Sequence, residues 1–307
     1  MRQVCITGIH SYVGNALEQY LLSLAGQENA YEIRKVSLRQ GVTEEVDFTH
    51  CDSVVHVAGI AHADISGVSD EEKAGYYAVN CDLAYETAKR AKEQGVGQFI
   101  YMSSVIVYGD SARVGRSRHI TAKTPPAPSN FYGDSKWKAE QRLNTLQSES
   151  FRVAIVRAPM IYGAGSKGNF PLLCKFAKHL FIFPRVRNSR SMLYVENLSE
   201  FLRRLIDSGE GGLFFPQNAE YSVTSKLVQA LRLEQGKRMY LSVLLGALVS
   251  VGAGLPGGAG RVINKAFGSL TIDQALSNEK ITGYQLYSLE ESIRRISKEQ
   301  RDSATTR

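Results

Sequence analysis

Short apolar runs alternate with helical periodicities through the first half of the chain. The apolar runs predict strands over 4–7, 33–38, 53–58, 99–103 and 153–157. Apolar residues spaced three and four apart predict helices over 15–24, 73–94 and 132–147. This alternation predicts right-handed crossovers, and hence an α/β fold with a doubly wound, Rossmann-type parallel sheet.

A long uncharged segment, residues 241–260, raises the question of a membrane span. Its length would suffice, since about 20 apolar residues cross a bilayer. Glycines interrupt its second half, however, and the uninterrupted apolar part, 241–251, is too short to span. We therefore predict a buried helix followed by a glycine-rich loop, with no stable membrane insertion.

Composition narrows the class of protein. The four cysteines are scattered without a CxxC pair and the chain starts without a charged leader, so we expect reduced thiols, no metal site and a cytoplasmic location. The net charge of +7 is concentrated late in the chain. Without a compact Lys/Arg block, nucleic-acid binding is not expected. A basic cleft for a diphosphate-bearing small molecule explains the excess more economically, unless the cations are merely solvated.

A glycine-containing loop joins the first predicted strand to the first predicted helix, where Rossmann folds bind pyrophosphate. Gly8 permits the tight turn and Gly14 permits close packing of helix and strand, but Ser11 replaces the middle glycine of the fingerprint. The position of the loop nevertheless predicts a dinucleotide site. The loop residues expected to contact the cofactor are Gly8, Ser11, Tyr12, Val13 and Gly14.

The end of the second predicted strand bears on the choice between NAD and NADP, because an acidic residue there binds the ribose hydroxyls of NAD. Residues 36–39 contain no acidic residue. Arg39, with Arg34 or Lys35, would instead accept a 2′-phosphate, or these cations are simply solvated. Both cofactors stay open, with NADP favoured. Further cofactor contacts are expected around the third predicted strand, at Asp47, Phe48, Ala58 and Gly59.

Three residues carry the predicted chemistry: Ser104, Tyr132 and Lys136. Ser104 follows the fourth predicted strand, and the YxxxK spacing places Tyr132 and Lys136 on one face of a helix. The Lys136 ammonium is expected to lower the pKa of the Tyr132 phenol. Tyr132 would then exchange a proton with a substrate hydroxyl or carbonyl while hydride moves to or from the nicotinamide, and Ser104 would hold the same oxygen.

In these motifs the chain resembles extended short-chain dehydrogenases/reductases of the NAD-dependent epimerase/dehydratase family, close to the UDP-glucose 4-epimerase branch. The matching strings are 7–14, 56–59, Asn80, 103–109, 132–136 and 157–163. The resemblance implies that Ser104, Tyr132 and Lys136 form the catalytic triad and that Asn80 supports the cofactor site. It further implies that Asn169 and Arg190 meet the diphosphate of a nucleotide sugar, and it favours uridine as the nucleotide.

The same resemblance implies a Rossmann domain over 1–162, completed by about 190–215, and a smaller substrate domain over 163–300. A polar tail over 301–307 is expected to be frayed. Members of the family often form homodimers, here through the helices predicted over 73–94 and 132–147.

Within the family, Val105 and Ile106 stand where 4,6-dehydratases carry an acidic pair, and no cysteine follows Ser104 as in 3,5-epimerases. These departures leave carbon-4 epimerisation and one-way reduction of a 4-keto sugar nucleotide, and the resemblance places epimerisation slightly ahead. A dinucleotide-sensing regulator without catalysis, and an enzyme attached to a membrane through 241–260, are lesser alternatives.

Overall fold

The computed structural model of the chain describes residues 1–24, 30–43, 45–60 and 68–305, with side chains through 302. The strands are β1 (Arg2–Thr7), β2 (Tyr31–Val36), β3 (Ser53–His56), β4 (Gln98–Ser104), β5 (His119–Ile120), β6 (Arg152–Ala158), β7 (Met160–Tyr162), β8 (Ile182–Pro184), β9 (Met192–Tyr194), β10 (Gly212–Phe214), β11 (Tyr240–Ser242) and β12 (Thr271–Ile272). The α-helices are α1 (Tyr12–Ser23), α2 (Asp70–Tyr77), α3 (Leu83–Glu93), α4 (Phe131–Asn144), α5 (Phe170–His179), α6 (Val195–Ser208), α7 (Thr224–Leu233), α8 (Val243–Gly252), α9 (Gly258–Phe267), α10 (Gln274–Ser277) and α11 (Leu289–Thr305).

A six-stranded parallel sheet in the order β2–β1–β3–β4–β6–β10 forms the centre of the fold. Helices α1 and α6 cover one face, where Leu17 and Leu202 pack on Ile6 of β1. Helices α3 and α4 cover the other face, where Ala88 and Leu143 are fully buried. Two apolar layers around a parallel sheet are the Rossmann-type α/β architecture that the sequence predicted.

The predicted elements of the first half are present with small shifts at their ends. The helix predicted over 73–94 is interrupted, because the π-helical turn Ala78–Asp82 links α2 to α3. β10 and α6 lie beyond residue 163 but pack with the first half, as the sixth strand of the sheet and as the helix beside α1. The division into two domains at 163 stays a prediction.

The last helix, α11, continues to Thr305, so residues 301–305 are helical, and fraying of the tail over 301–307 stays a prediction. Ile293 and Ile296 anchor the first turns of this helix in the core. From there the backbone hydrogen bonds of the helix extend through a polar sequence, which composition alone cannot reveal.

Residues 241–260 differ from their prediction. They form α8 and the start of α9, and within α8 only Gly246 is buried. The expected buried helix therefore lies at the surface, and part of the expected loop is helical. Among the described residues, none of the helices is both long and apolar enough to cross a membrane.

Candidate functional site

In the loop between β1 and α1, the backbone of Gly8 lies very close to the backbone of Ala58. Gly8 has φ +79°, and a Cβ built on it would lie 3.0 Å from the amide nitrogen of Ala58. The backbone N–H of Gly8 donates to the Val36 carbonyl at 3.0 Å. Only glycine permits both this left-handed conformation and this approach without strain. Gly8 and Ala58 therefore form a narrow cradle between the carboxyl ends of β1 and β3.

Ser11, which departs from the glycine fingerprint, has a structural role at the start of α1. Its side chain accepts a hydrogen bond from the Gly14 N–H at 3.3 Å and caps the helix. The backbone N–H groups of Tyr12 and Val13 precede that bond in the first turn, where an anion binds most favourably. The Tyr12 side chain itself points away into the second half, where its hydroxyl is buried without a hydrogen-bond partner.

The end of β3 is fixed by two polar side chains. The Thr7 hydroxyl lies 3.2 Å from Nδ1 of His56 and accepts from the Ala58 N–H at 3.4 Å. Asn80, which is fully buried, accepts from the Ile60 N–H at 2.9 Å and donates to the Ile60 carbonyl at 3.1 Å. Asn80 thus supports the predicted cofactor surface at 58–60 from behind.

The predicted cofactor residues on β2, after it and in the loop before β3 make different contacts. Arg34 pairs with Asp47 at 3.4 Å, and Lys35 pairs with Glu18 at 2.8 Å. Arg39 is exposed and forms no ion pair with any other described residue, and its role toward a 2′-phosphate stays a prediction. Phe48 is fully buried in the core, so that any contact with adenine involves its backbone rather than its ring.

The three predicted catalytic residues meet at the carboxyl end of β4. Ser104 ends that strand, and its hydroxyl accepts from the Ile106 N–H at 3.3 Å and lies close enough to the Tyr132 phenol to lower the pKa of that phenol. Asn130 caps α4 by accepting from the Gly133 N–H at 2.9 Å, which fixes the first turn that carries Tyr132. The ring of Tyr76 lies edge-on to that of Tyr132, with centroids 6.2 Å apart.

The pKa of Tyr132 differs from the expectation. Desolvation raises this pKa to about 12, and the hydrogen bond from Ser104 opposes the rise only in part. Lys136 was expected to lower it, but the Lys136 ammonium donates to the Met102 carbonyl at 3.0 Å and lies 4.7 Å from the centre of the Tyr101 ring. Burial therefore outweighs the charge, and Tyr132 is a protonated phenol at neutral pH.

Lys136 is itself buried, and desolvation lowers the pKa of its ammonium to about 8, against the opposing effect of Glu140. A Cβ built on Gly59 would lie 3.3 Å from its Nζ and 3.0 Å from Oδ1 of Asn80. Lys136, Asn80 and the end of β3 thus surround one point, which joins the cofactor cradle to the catalytic residues.

Behind Lys136 lies a buried ion pair that the sequence analysis missed. Arg157 of β6 and Glu140 of α4 are 2.6 Å apart and both almost fully buried. Burial alone would lower the pKa of Arg157, but its hydrogen bonds to Glu140 raise it. Ser103 also donates to Glu140, and Arg157 donates to the Tyr108 hydroxyl. The signal was present, because Glu140 lies one helical turn after Lys136 on the same face.

The two predicted substrate residues lie in the second half of the chain. Asn169 is the N-cap residue of α5, yet its side chain makes no capping hydrogen bond. Arg190 donates from Nη1 to the carbonyls of Lys265 and Ala266 at the end of α9, and desolvation lowers its pKa. Whether both meet one diphosphate stays a prediction.

Comparison with known proteins assigns the family. The model of the NAD dependent epimerase/dehydratase family matches residues 4–214 of the 307. The chain belongs to this family. Its members use a nicotinamide dinucleotide, so the chain is an NAD(P)-dependent enzyme that binds NAD or NADP.

Two curated relatives are epimerases by name. The chain is 30% identical over 194 residues to UDP-glucose 4-epimerase of Vibrio cholerae, covering 60% of this chain and 57% of that protein. It is 32% identical over 157 residues to N-acetyl-alpha-D-glucosaminyl-diphospho-ditrans,octacis-undecaprenol 4-epimerase of Escherichia coli O157:H7, covering 50% and 44%. The matches thus span about half the length of these relatives.

Solved structures share the fold over nearly the whole chain. UDP-glucuronic acid 4-epimerase from Bacillus cereus in complex with NAD has a TM-score of 0.70 at 16% identity, covering 96% of both chains. dTDP-4-dehydrorhamnose reductase from Bacillus anthracis in complex with NADP has a TM-score of 0.70 at 19% identity, covering 97% of this chain and all of that one. At such low identity these similarities establish the fold.

The described residues fit a nicotinamide dinucleotide. The cradle at Gly8 and Ala58 leaves room for backbone contact but not for a further Cβ, and the first turn of α1 supplies N–H groups for a pyrophosphate. Gly59 lies between this cradle and Lys136, so a ligand that follows the strand ends reaches Tyr132. The family's cofactor and the geometry of the site therefore agree.

The buried ion pair yields a stability prediction. Glu140→Ala leaves the Arg157 guanidinium buried without its carboxylate and is expected to cost about 3–5 kcal/mol of the free energy of unfolding. Chemical denaturation monitored by circular dichroism measures the loss. Glu290→Ala, which removes a solvent-exposed partner of Arg294, is the matched control and should cost less than about 1 kcal/mol. Equal losses in the two variants would contradict the assignment.

Proposed function

We propose that the chain is a carbon-4 epimerase of a diphosphate-linked sugar, acting through Ser104, Tyr132 and Lys136. The observation that carries the proposal is the turn after Ser104, where Val105 is buried and Ile106 half-buried. Neither side chain can exchange protons, so no second acid–base pair accompanies the triad at this position. Oxidation and reduction are then limited to the one substrate carbon whose oxygen faces Tyr132.

In the proposed reaction, Tyr132 exchanges one proton with the oxygen on carbon 4. When bound, the nicotinamide cofactor supplies the acceptor and donor of hydride. Tyr132 takes the hydroxyl proton in the first half-reaction and returns it in the second, while Ser104 keeps the same oxygen within hydrogen-bond reach. Between the two steps the keto sugar must present its other face. The Lys136 charge favours the ionised form of Tyr132 during the first step.

The substrate class is inferred from the second half of the chain and from the relatives. Both curated relatives are named for 4-epimerisation of a sugar on a diphosphate, carried by uridine in one and by a polyprenol in the other. The uncommitted side chain of Asn169 and the guanidinium of Arg190 are suited to phosphate oxygens. We favour a UDP-linked hexose, processed in the cytoplasm.

A second candidate function rests on the tip of β2. The unpaired Arg39 suits the 2′-phosphate of NADP, and a reductase that exchanges its cofactor at every turnover is served by NADPH. The protonated Tyr132 is also ready to protonate a keto group. One-way reduction of a 4-keto sugar nucleotide therefore remains the alternative.

The two functions are separated by substrate conversion. Purified protein is mixed with UDP-glucose, UDP-galactose or their N-acetylamino counterparts, and carbon-4 isomers are followed by NMR. Epimerisation predicts interconversion without net use of added NADPH, and Tyr132→Phe should lower the rate by about 10²–10⁴-fold. Oxidation of NADPH with a 4-keto sugar nucleotide, without interconversion of isomers, would establish the reductase instead.

Cofactor choice is tested at Arg39. Arg39→Ala removes the charge expected to bind the 2′-phosphate, so the Kd of NADP should rise by about tenfold while that of NAD stays nearly constant. Isothermal titration with each dinucleotide measures both constants. Lys35→Ala is the control, because Lys35 already pairs with Glu18. An equal effect of the two substitutions on NADP would argue against a role for Arg39.

The raised pKa of Tyr132 predicts different pH dependences for the two half-reactions. A phenol with a pKa of about 12 stays protonated through the neutral range, so keto reduction should not accelerate as pH rises. Oxidation needs the ionised phenol, whose fraction grows about tenfold per pH unit below the pKa. Single-turnover rates of cofactor reduction by the sugar nucleotide, measured from about pH 6 to pH 8, should therefore increase. A flat oxidation profile would mean that Tyr132 is not the base.

A further inference from the structure

Helices α8 and α9 present large apolar side chains to solvent. We call this set the apolar surface, and its members are Tyr240, Val243, Leu244, Leu248, Val251, Leu255 and Val262. Leu244 is 73% exposed, Val251 72% and Val243 67%. Leu244, Leu248 and Val251 follow the four- and three-residue spacing of one face of α8, while Tyr240 lies on β11 and Leu255 in the turn between α8 and α9. Such a stripe normally faces a core, so its outward position indicates a partner.

The outward position is fixed by packing on the opposite side. Gly246 lies against the backbone of Arg185, where a Cβ would collide with the Arg185 carbonyl. A Cβ on Gly252 would lie 2.8 Å from the Ile263 side chain, so α8 and α9 also pack closely on each other. Asn264 donates to the Ala253 and Gly260 carbonyls at 3.0 and 2.8 Å. The two helices therefore form one rigid projection whose apolar side cannot turn inward.

Cations surround the apolar surface without acidic partners. Neither residues 158–195 nor residues 235–272 contain an aspartate or glutamate. Arg232 donates to the carbonyls of Lys178 and Arg238, which brings these two exposed cations to the same edge. At the start of α8 the Arg185 N–H donates to the Ser242 carbonyl, and Arg261 is the exposed neighbour of Val262 on α9. Among the described residues, none of Lys178, Arg185, Arg238 and Arg261 forms an ion pair.

Exposed aromatic side chains lie at the border between the apolar and the basic residues. β11 pairs with β8, and the Tyr240 N–H donates to the Phe181 carbonyl at 2.9 Å. Tyr240 is 65% and Phe181 66% exposed. Aromatic rings next to cations, beside an aliphatic stripe, are the composition of a surface that sits at the level of lipid headgroups.

We propose that the apolar surface docks the protein on an anionic lipid bilayer. Leu244, Leu248 and Val251 would enter the boundary between headgroups and acyl chains, while Arg185, Arg238 and the other cations meet lipid phosphates. With ten residues, α8 is far too short to cross, so contact is confined to one leaflet. A second copy of the chain is a poorer partner, because face-to-face pairing would bring two rims of the same charge together.

Docking would hold the predicted diphosphate site close to the bilayer. Arg190, the residue expected to bind the substrate diphosphate, donates to the Lys265 and Ala266 carbonyls of α9. The inference goes beyond the proposed function and does not depend on it. Lipid binding is measured without substrate, so epimerase activity and docking can fail separately.

The test is flotation of the full chain with vesicles of phosphatidylcholine alone or with about one third phosphatidylglycerol. We expect the protein to float with the anionic vesicles and to be released by added salt. The double variant Leu244→Glu/Leu248→Glu should lower the bound fraction by about tenfold or more. Leu22→Glu on α1 is the matched control, since Leu22 is an exposed leucine outside the apolar surface, and it should bind like the parent chain.

A second measurement locates the contact. In Leu248→Trp the new indole should become more blue-shifted and be quenched by brominated lipid on vesicle addition, whereas in Leu22→Trp it should not change. Failure of the parent chain to float with anionic vesicles would overturn the proposal, as would an equal loss in Leu22→Glu. A parent dimer that the double variant dissociates in sedimentation equilibrium, without vesicle binding, would assign the surface to a second copy.

Discussion

The buried pair of Glu140 and Arg157 is the interaction on which the catalytic arrangement depends. It connects α4 to β6, and through Ser103 it also reaches β4. Tyr132 and Lys136 are on the same helix, so their positions over the carboxyl ends of the strands follow from where this pair fixes α4. Two desolvated charges are expensive to bury, and they are tolerated here because each has several hydrogen bonds.

Burial away from water also determines the protonation states of the ionisable side chains in the site. Desolvation lowers the pKa of Lys136 to about 8, and the carboxylate of Glu140 one turn away opposes that shift. Desolvation raises the pKa of Tyr132 to about 12, so its phenol stays protonated. His56, buried beside the cradle, has its pKa lowered to about 3 and is neutral. In the proposed reaction, Tyr132 is the protonated group that exchanges with the substrate oxygen, and His56 takes no part in proton transfer.

The second half of the chain adds short two-stranded sheets and surface helices to the central sheet. Its short strand pairs hold α5, α8 and α9 beside the Rossmann sheet. Of the cations between 158 and 195, Lys175 and Lys178 lie on α5, and the others lie in the connecting segments: Lys167, Arg185, Arg187 and Arg190. The net positive charge that composition assigned to a diphosphate ligand is thus shared between two places. Arg190 lies near the predicted substrate site, and Arg185, Arg238 and Arg261 lie around the apolar surface.

Much of this protein was determined by local sequence. Alternating strands and helices, the left-handed turn at Gly8 and the one-turn spacing of Tyr132 and Lys136 depend on residues close together in the chain, and the sequence predicted each of them. Tertiary structure alone decided the rest. Glu140 pairs with Arg157 through a contact between distant segments. The ion pairs of Arg34 with Asp47 and of Lys35 with Glu18 also join separate segments, and Arg39 takes part in neither of them.

The pKa of Tyr132 was likewise out of reach, because desolvation depends on everything that packs around a side chain. The apolar segment 241–260 is the clearest case. Its hydrophobicity predicts burial, yet the fold packs its glycine face inward against Arg185 and leaves its leucines in solvent. Hydrophobicity shows that a side chain is more stable out of water. Only the tertiary structure shows whether the rest of the chain forms an apolar site that buries it.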